Sequence, residues 1–324
     1  MRKLTISAEN WELKQPFRIS YRTMHDVSLV VVELEQDGVV GRGEGAGVFY
    51  RGETIESISD QIEAARAEIE AGASRDDLYN VLPAGGARCA VDCALWDLEA
   101  KLSGQTVWEM NGIDPKPVTT VYTIGLDHLE AMAENARGTR EPRLKVKVNA
   151  DAPIDQVRVV REVRPDAKLI VDANQSLTPE TLPRIADAYA ELGVEMLEQP
   201  LPARKDDILA SFNSPVLLGA DESLLTTREL DYVADRYQVA NIKLDKTGGL
   251  TEALRLAKQA RDAGLDLMVG CMLGTSLGMA PAAIVGQYCR FVDIDGPLLM
   301  KNDRDHAMQF VRGEVSVPSR ELWG

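Results

Sequence analysis

Arg143–Val148 (RLKVKV), Lys168–Ala173 (KLIVDA), Val194–Gln199 (VEMLEQ), Pro215–Ala220 (PVLLGA) and Val239–Leu244 (VANIKL) are short apolar runs that each carry or immediately precede a charged residue. Lys147, Asp172, Glu198, Asp221 and Lys243 follow one another at steps of 25, 26, 23 and 22 residues, the length of one strand and one crossover helix. A series of that kind predicts a β/α barrel whose strand ends meet at one mouth. Catalytic groups of such barrels sit at the C-terminal strand ends, so three carboxylates flanked by lysines predict a metal site with a base on either side.

Outward from this stretch, Val118–Ile124 (VTTVYTI), Asp266–Cys271 (DLMVGC) and Phe291–Gly296 (FVDIDG) bring the strand candidates to eight, with helical stretches such as Thr251–Ala263 between them. The expected fold class is α/β: a modified TIM barrel, (β/α)7β, over residues 118–297. An N-terminal α+β capping domain is expected over residues 1–117, completed by a C-terminal segment, about 298–324, that begins no further strand and helix cycle. In the first domain, Leu29–Glu35, the Asp37-Gly38 turn and Val39–Glu44 predict a hairpin, because Asp-Gly between apolar runs suits a type I′ turn. Helices are expected near Thr54–Glu70, from Ile55, Ile58, Ile62 and Ile69, and near Ala87–Leu102, with Gly104 as the stop. The glycine-rich GRGEGAG (Gly41–Gly47) lacks the Lys-Ser/Thr end of a phosphate-binding loop and reads as the tight end of the hairpin. Thr247-Gly248-Gly249 reads as a loop leading into a helix.

A chain of 324 residues with 45% hydrophobic residues can bury a full core, and no apolar stretch approaches the roughly 20 residues of a membrane span. MRKLTISAENWELKQPF lacks the continuous apolar segment of a signal peptide, so a cytoplasmic protein is expected. The net charge of −15 argues against nucleic acid or an anionic membrane as partner, and leaves room for a homo-oligomer. Cys89, Cys93, Cys271 and Cys289 form no metal-binding or disulfide spacing and read as reduced, mostly buried thiols.

Lys145 and Lys147 share one face of their strand, because side chains alternate. Facing the helix layer they would bury charge in an apolar seam, so the wet mouth is their expected place. Asp172, Glu198 and Asp221 could each cap a helix. Three in consecutive units suit an oxygen site for Mg2+, with Lys243 across the mouth from Lys147. A cation with a base on each side fits removal of a proton α to a carboxylate and its return from the opposite face. Lysine must be neutral to act as a base, and nearby cations with partial desolvation are expected to lower its pKa. Asn174 and Glu222 are candidate supports of the ligands.

The chain resembles the enolase superfamily, in its muconate lactonizing enzyme subgroup. The resemblance rests on ARCAVDCALWDLEAKLSGQTVWEMNG (Ala87–Gly112), the K-x-K of Lys145 and Lys147, the VDAN, EQP and ADES strands, and NIKLDKTGG (Asn241–Gly249). It implies that Asp172, Glu198 and Asp221 bind Mg2+, that Lys147 and Lys243 are the acid/base pair, and that Lys145 helps stabilise an enolate. It also implies loops around Pro16–Asp26 and Ala46–Gly52 that close over the mouth and select substrate, with Arg22 and Tyr50 as their substrate-binding candidates. None of His25, His128 and His306 sits at a late strand end, which disfavours the histidine-based branch.

Asp293-Ile294-Asp295, on the eighth strand, places two carboxylates on one face, suited to a substrate ammonium some distance from a metal-held carboxylate. That describes a dipeptide, and the Asp-x-Asp is similar to that of dipeptide epimerases. Two rivals stay open at this point. A lyase of the o-succinylbenzoate synthase or muconate cycloisomerase type would keep the scaffold, and a metal-stabilised binding protein would have no turnover.

Overall fold

The computed structural model describes residues 2–324. Lys3–Ile19, Arg22–Gln36 and Val39–Gly45 form an antiparallel three-stranded sheet in chain order. Asp37 and Gly38 both take positive φ, 54° and 77°, as a type I′ turn requires. Lys3–Ile19 was not foreseen. Its alternation is weak, and the register with its partner shifts between Glu12 and Phe17, where Pro16 interrupts the ladder. The expected loop at Pro16–Asp26 is therefore the tip of this hairpin, with Phe17 paired to Met24 and Ile19 to Arg22.

The Gly41–Gly47 motif also needs correction, because it is not the hairpin's tight end. Gly41, Gly43 and Gly45 lie within the third strand, and the Gly86–Ser103 helix rests directly on them. A Cβ at these glycines would stand 2.4 Å, 2.1 Å and 2.3 Å from the carbonyl oxygens of Ala94, Ala90 and Gly86. Absence of side chains on every second residue lets helix and strand backbones touch. Glu44 points the other way, accepting from Thr275 N and Arg304 Nη2, both at 2.8 Å, and so ties this sheet to the barrel.

The helix expected over Thr54–Glu70 starts with a capping box between Thr54 and Ser57, but breaks at Ala65 into Ile55–Ala64 and Arg66–Glu70. The second expected helix spans Gly86–Ser103 and stops at Gly104, in the left-handed region at φ 74°.

Eight strands build the barrel: Tyr122–Ile124, Arg143–Lys147, Lys168–Asp172, Val194–Glu198, Leu217–Ala220, Val239–Lys243, Asp266–Gly270 and Phe291–Val292, parallel and neighbouring in chain order. The Val121 N–H donates to Val292 O at 2.9 Å, linking the first and last strands. Leu144, Val146, Leu169, Val171 and Leu197 are wholly buried, as alternating positions of barrel strands should be.

Three details depart from the expected series. Only Tyr122–Ile124 of VTTVYTI joins the barrel, while Val118–Thr119 pairs with Glu314–Val315. The link after Glu198 holds a 3-10 turn, Asp207–Ser211, in place of a crossover α-helix; Pro200, Pro202 and Pro215 remove three backbone donors there. Asp293 and Asp295 lie just past the eighth strand. The tail runs back to the first domain: Trp323 Nε1 donates to Cys93 O at 3.0 Å and Gly324 N to Asp97 Oδ1 at 2.6 Å. No helix among the described residues is long and apolar enough to cross a membrane.

Candidate active site

Parallel pairing in register sets Lys147 beside Asp172 and Asp172 beside Glu198. Asp221 follows the next strand and Lys243 ends the one after it. The three carboxylates thus occupy consecutive strands, and Lys147 and Lys243 stand on the strands immediately to either side. Carboxylate oxygens of Asp172, Glu198 and Asp221 lie within 4.8 Å of one another, all buried.

Lysines neutralise this trio. Lys147 Nζ donates to Asp172 Oδ2 at 2.6 Å and Lys243 Nζ to Asp221 Oδ2 at 2.7 Å. Lys145 Nζ lies 2.7 Å from Asp293 Oδ2, 3.1 Å from Asp172 Oδ2 and 2.7 Å from Glu198 Oε2. The last approach is close but badly angled, so Glu198 Oε2 is buried without a hydrogen bond.

Burial opposes ionisation of Asp172, yet Lys147 and Lys145 hold its carboxyl down at about 2. Asp221 is likewise lowered against burial by Lys243 and Lys246. Burial, with Asp172 alongside, pushes Glu198 up to about 7. Burial and the charges of Asp221 and Asp172 push Glu222 up to about 8. Lys243 departs from the expectation for an acid/base lysine, and Lys145, expected to keep its charge, shifts the same way. Burial does lower them, but the surrounding carboxylates outweigh it and hold both ammoniums above the ordinary lysine range.

A cavity of about 520 Å³ opens above these groups, walled on the barrel side by Lys145, Lys147, Lys243, Asp293 and Asp295. The first domain supplies Tyr21, Arg22, Met24, Phe49 and Tyr50. Arg22 stacks its guanidinium 4.8 Å from the Phe49 ring centre, and the Tyr50 hydroxyl is buried without a hydrogen bond. Asn174 and Glu222 line the same space, joined by Asn174 Nδ2 donating to Glu222 Oε1 at 3.4 Å. Asp295 Oδ2 accepts from Thr123 N at 2.6 Å, and burial beside Asp293 pushes its carboxyl up to about 7. Every site residue singled out in the sequence is therefore brought to this cavity or its buried floor. His25, His128 and His306 are exposed.

Three contributors were missed. Lys246 Nζ, wholly buried, donates to Asp221 Oδ1 at 2.6 Å, Asp221 O at 2.7 Å and Asn241 O at 2.9 Å. Asn241 Nδ2 donates to Glu198 Oε1 at 2.8 Å; its signal was available, since alternation puts it on the face of Lys243. Cys271 is half-buried beside Asp293 and Asp295, facing the cavity.

These residues fit a small divalent cation. Three buried carboxylates converge with an unbonded oxygen among them, and ammoniums crowd in where a cation would offset the charge.

Residues 128–321 match the enolase C-terminal domain-like family, and residues 1–112 the mandelate racemase / muconate lactonizing enzyme N-terminal domain. The chain belongs to the enolase superfamily. It is 41% identical over 319 residues to an L-Ala-D/L-Glu epimerase of Escherichia coli K12, covering 97% of this chain and 99% of that one. It superposes with a TM-score of 0.98, at 42% identity and full coverage of both chains, on an enolase family member from Agrobacterium tumefaciens with homology to dipeptide epimerases, crystallised with sodium and L-Ala-L-Glu. A Methylococcus capsulatus dipeptide epimerase, complexed with Mg and L-Arg-D-Lys, aligns at TM-score 0.91 and 30% identity over 99% of this chain and 98% of that one.

Proposed function

We propose that this chain is a Mg2+-dependent dipeptide epimerase that inverts the α-carbon next to the C-terminal carboxylate, with Ala-Glu-like dipeptides as substrates. The observation that carries the reading is a single cavity lined by Asp221 of the trio and by Asp293 and Asp295, with Lys145 bridging Glu198 beneath it to Asp293. Lys145 compensates Asp293 alone, so a lyase substrate without an ammonium would leave Asp295 with no cationic partner in a buried wall. We divide the chain into a barrel of residues 118–297 and a capping domain of 1–117 completed by 298–324, and place the protein in the cytoplasm. A homo-oligomer is compatible with this reading, and the charge of −15 supports no nucleic-acid partner.

Asp172, Glu198 and Asp221 are the residues that would hold Mg2+. When bound it would supply a Lewis acid for the substrate carboxylate and offset the carboxylate charge that holds Lys243 protonated. Lys147 and Lys243, on strands either side of the trio, then face the α-carbon from opposite sides. One removes the proton, and the other returns one to the far face. Lys145 keeps its charge and donates to the oxygen on which negative charge develops. Asp293 and Asp295 hold the free amine. Arg22, stacked on Phe49 at the cavity rim, is placed to meet an acidic side chain. Tyr50, a cavity-lining residue whose hydroxyl has no partner, is a substrate donor in this reading, while Asn174 braces Asp172 through its backbone N–H and is itself held by Glu222.

In D2O with MgCl2, the protein is expected to wash deuterium into the C-terminal α-position of L-Ala-L-Glu and to yield the second epimer, both visible by proton NMR. Absence of exchange across a broad dipeptide panel overturns the reading, and turnover of a muconate-type acid instead selects the lyase.

Asp295→Asn tests the amine site. The amide oxygen can still accept from Thr123 N, so the change removes charge with little rearrangement. The expected result is a KM for Ala-Glu raised by about 30-fold, the equivalent of ~2 kcal/mol for one charge-assisted contact. The same group predicts a pH effect. Because its pKa is raised to about 7, the carboxylate that attracts ammonium is lost as pH falls through 7, so the wild-type KM should climb below neutrality. A pH-independent KM, or an unaffected Asp295→Asn variant, removes Asp295 from amine recognition.

A further inference from the structure

Each carboxylate of the trio has one oxygen held by a donor other than the mouth lysines, and the other oxygen is the one those lysines meet. Asp172 Oδ1 accepts from the Asn174 backbone N–H at 2.9 Å, Glu198 Oε1 from Asn241 Nδ2 at 2.8 Å, and Asp221 Oδ1 from Lys246 Nζ at 2.6 Å. The remaining oxygens, Asp172 Oδ2, Glu198 Oε2 and Asp221 Oδ2, are those that the mouth lysines approach. This division matters for the ion. Magnesium takes six oxygens, one from each ligand, at about 2.0–2.1 Å, whereas calcium takes about 6–8 at 2.3–2.6 Å and readily uses both oxygens of a carboxylate.

We infer that Lys246 and Asn241 are positioning residues that restrict Asp221 and Glu198 to one metal-facing oxygen each, and thereby make the site select a small octahedral cation over calcium. The inference rests on the proposed metal site and concerns why that site takes the ion it does. Lys246 suits such a role because its three protons go to Asp221 Oδ1 and two backbone carbonyls, so it is anchored and does not compete for the centre. Asn241 has room because Gly270, the ladder partner of Lys243 on the next strand, has no side chain: a Cβ there would stand 2.7 Å from Asn241 Oδ1.

The test titrates metal-free protein with MgCl2 and with CaCl2 by calorimetry, without substrate, for the wild type, Lys246→Met and Asn241→Ala. The wild type is expected to bind Mg2+ more tightly than Ca2+, and both variants to lose about tenfold of that preference. The two variants separate denticity from charge. Lys246→Met also removes a positive charge and should strengthen binding of both ions, while Asn241→Ala leaves the charge unchanged; a common shift in the ratio identifies the freed oxygen. Circular dichroism establishes which variants keep the fold, and either one suffices. A wild-type ratio retained in a folded variant overturns the inference and leaves the epimerase reading standing. A wild-type protein that binds neither ion overturns the metal site beneath both readings. One that prefers Mg2+ but exchanges no deuterium loses the epimerase reading alone.

Discussion

Alanine at Lys147 is expected to lower epimerisation by about 10³-fold or more, within the range a positioned general base contributes, while leaving half of the chemistry visible. Lys147 and Lys243 stand on strands flanking the three carboxylate strands, so each can reach only one face of an α-carbon held between them. With Lys147 removed, the epimer whose α-hydrogen faces Lys243 should still exchange with D2O, although no proton can be delivered from the other side. Lys243→Ala should show the complementary pattern with the opposite epimer. Exchange of each separate epimer, followed by NMR, gives the answer directly. Equal exchange of both epimers in either variant would remove that lysine from the mechanism, and loss of both in a folded variant would mean that one lysine serves both faces. The melting temperature should accompany each assay, because Lys147→Ala also strips Asp172 of its 2.6 Å partner.

Gly43→Ala is expected to destabilise the protein by about 2–3 kcal/mol and lower its melting temperature by roughly 5 °C, the upper part of the range for overpacking in a chain of this size. The added methyl would stand 2.1 Å from Ala90 O and 2.5 Å from Ala94 N, and both are backbone atoms of the Gly86–Ser103 helix. That helix cannot easily withdraw. Arg88 ties it to Thr247 O at 2.7 Å, and Trp323 donates to Cys93 O from the other end of the chain. Activity should fall as well, since Glu44 anchors this strand to Thr275 and the cavity-lining segment Ala46–Tyr50 begins just beyond it. Gly138→Ala is the matched control, because that position has a negative φ and nothing within 4 Å of a new Cβ. Its melting temperature should hold or rise slightly. Equal melting temperatures for the wild type and Gly43→Ala would show that the strand and helix can part at little cost.

The spacing of Lys147, Asp172, Glu198, Asp221 and Lys243 was enough to order five strands and to aim their ends at one place, because a parallel barrel repeats one unit and side chains alternate along each strand. Asp293 and Asp295 were legible for the same reason, although the strand itself stops at Val292. Lys246 was hidden by its position past the strand end, where no alternation rule applies. The long strand Lys3–Ile19 was obscured by its exposed, irregular pattern, which is stabilised only by pairing along Arg22–Gln36.

Local sequence thus determined which residues meet, since periodicity and turn chemistry act over a few residues. Tertiary structure alone decided how close the backbones approach at Gly41, Gly43 and Gly45, which donor holds each carboxylate oxygen, and which way Lys145 and Lys243 titrate. Those outcomes depend on distances between groups far apart in the chain, and Coulomb and packing energies follow distance in space whatever the separation in sequence.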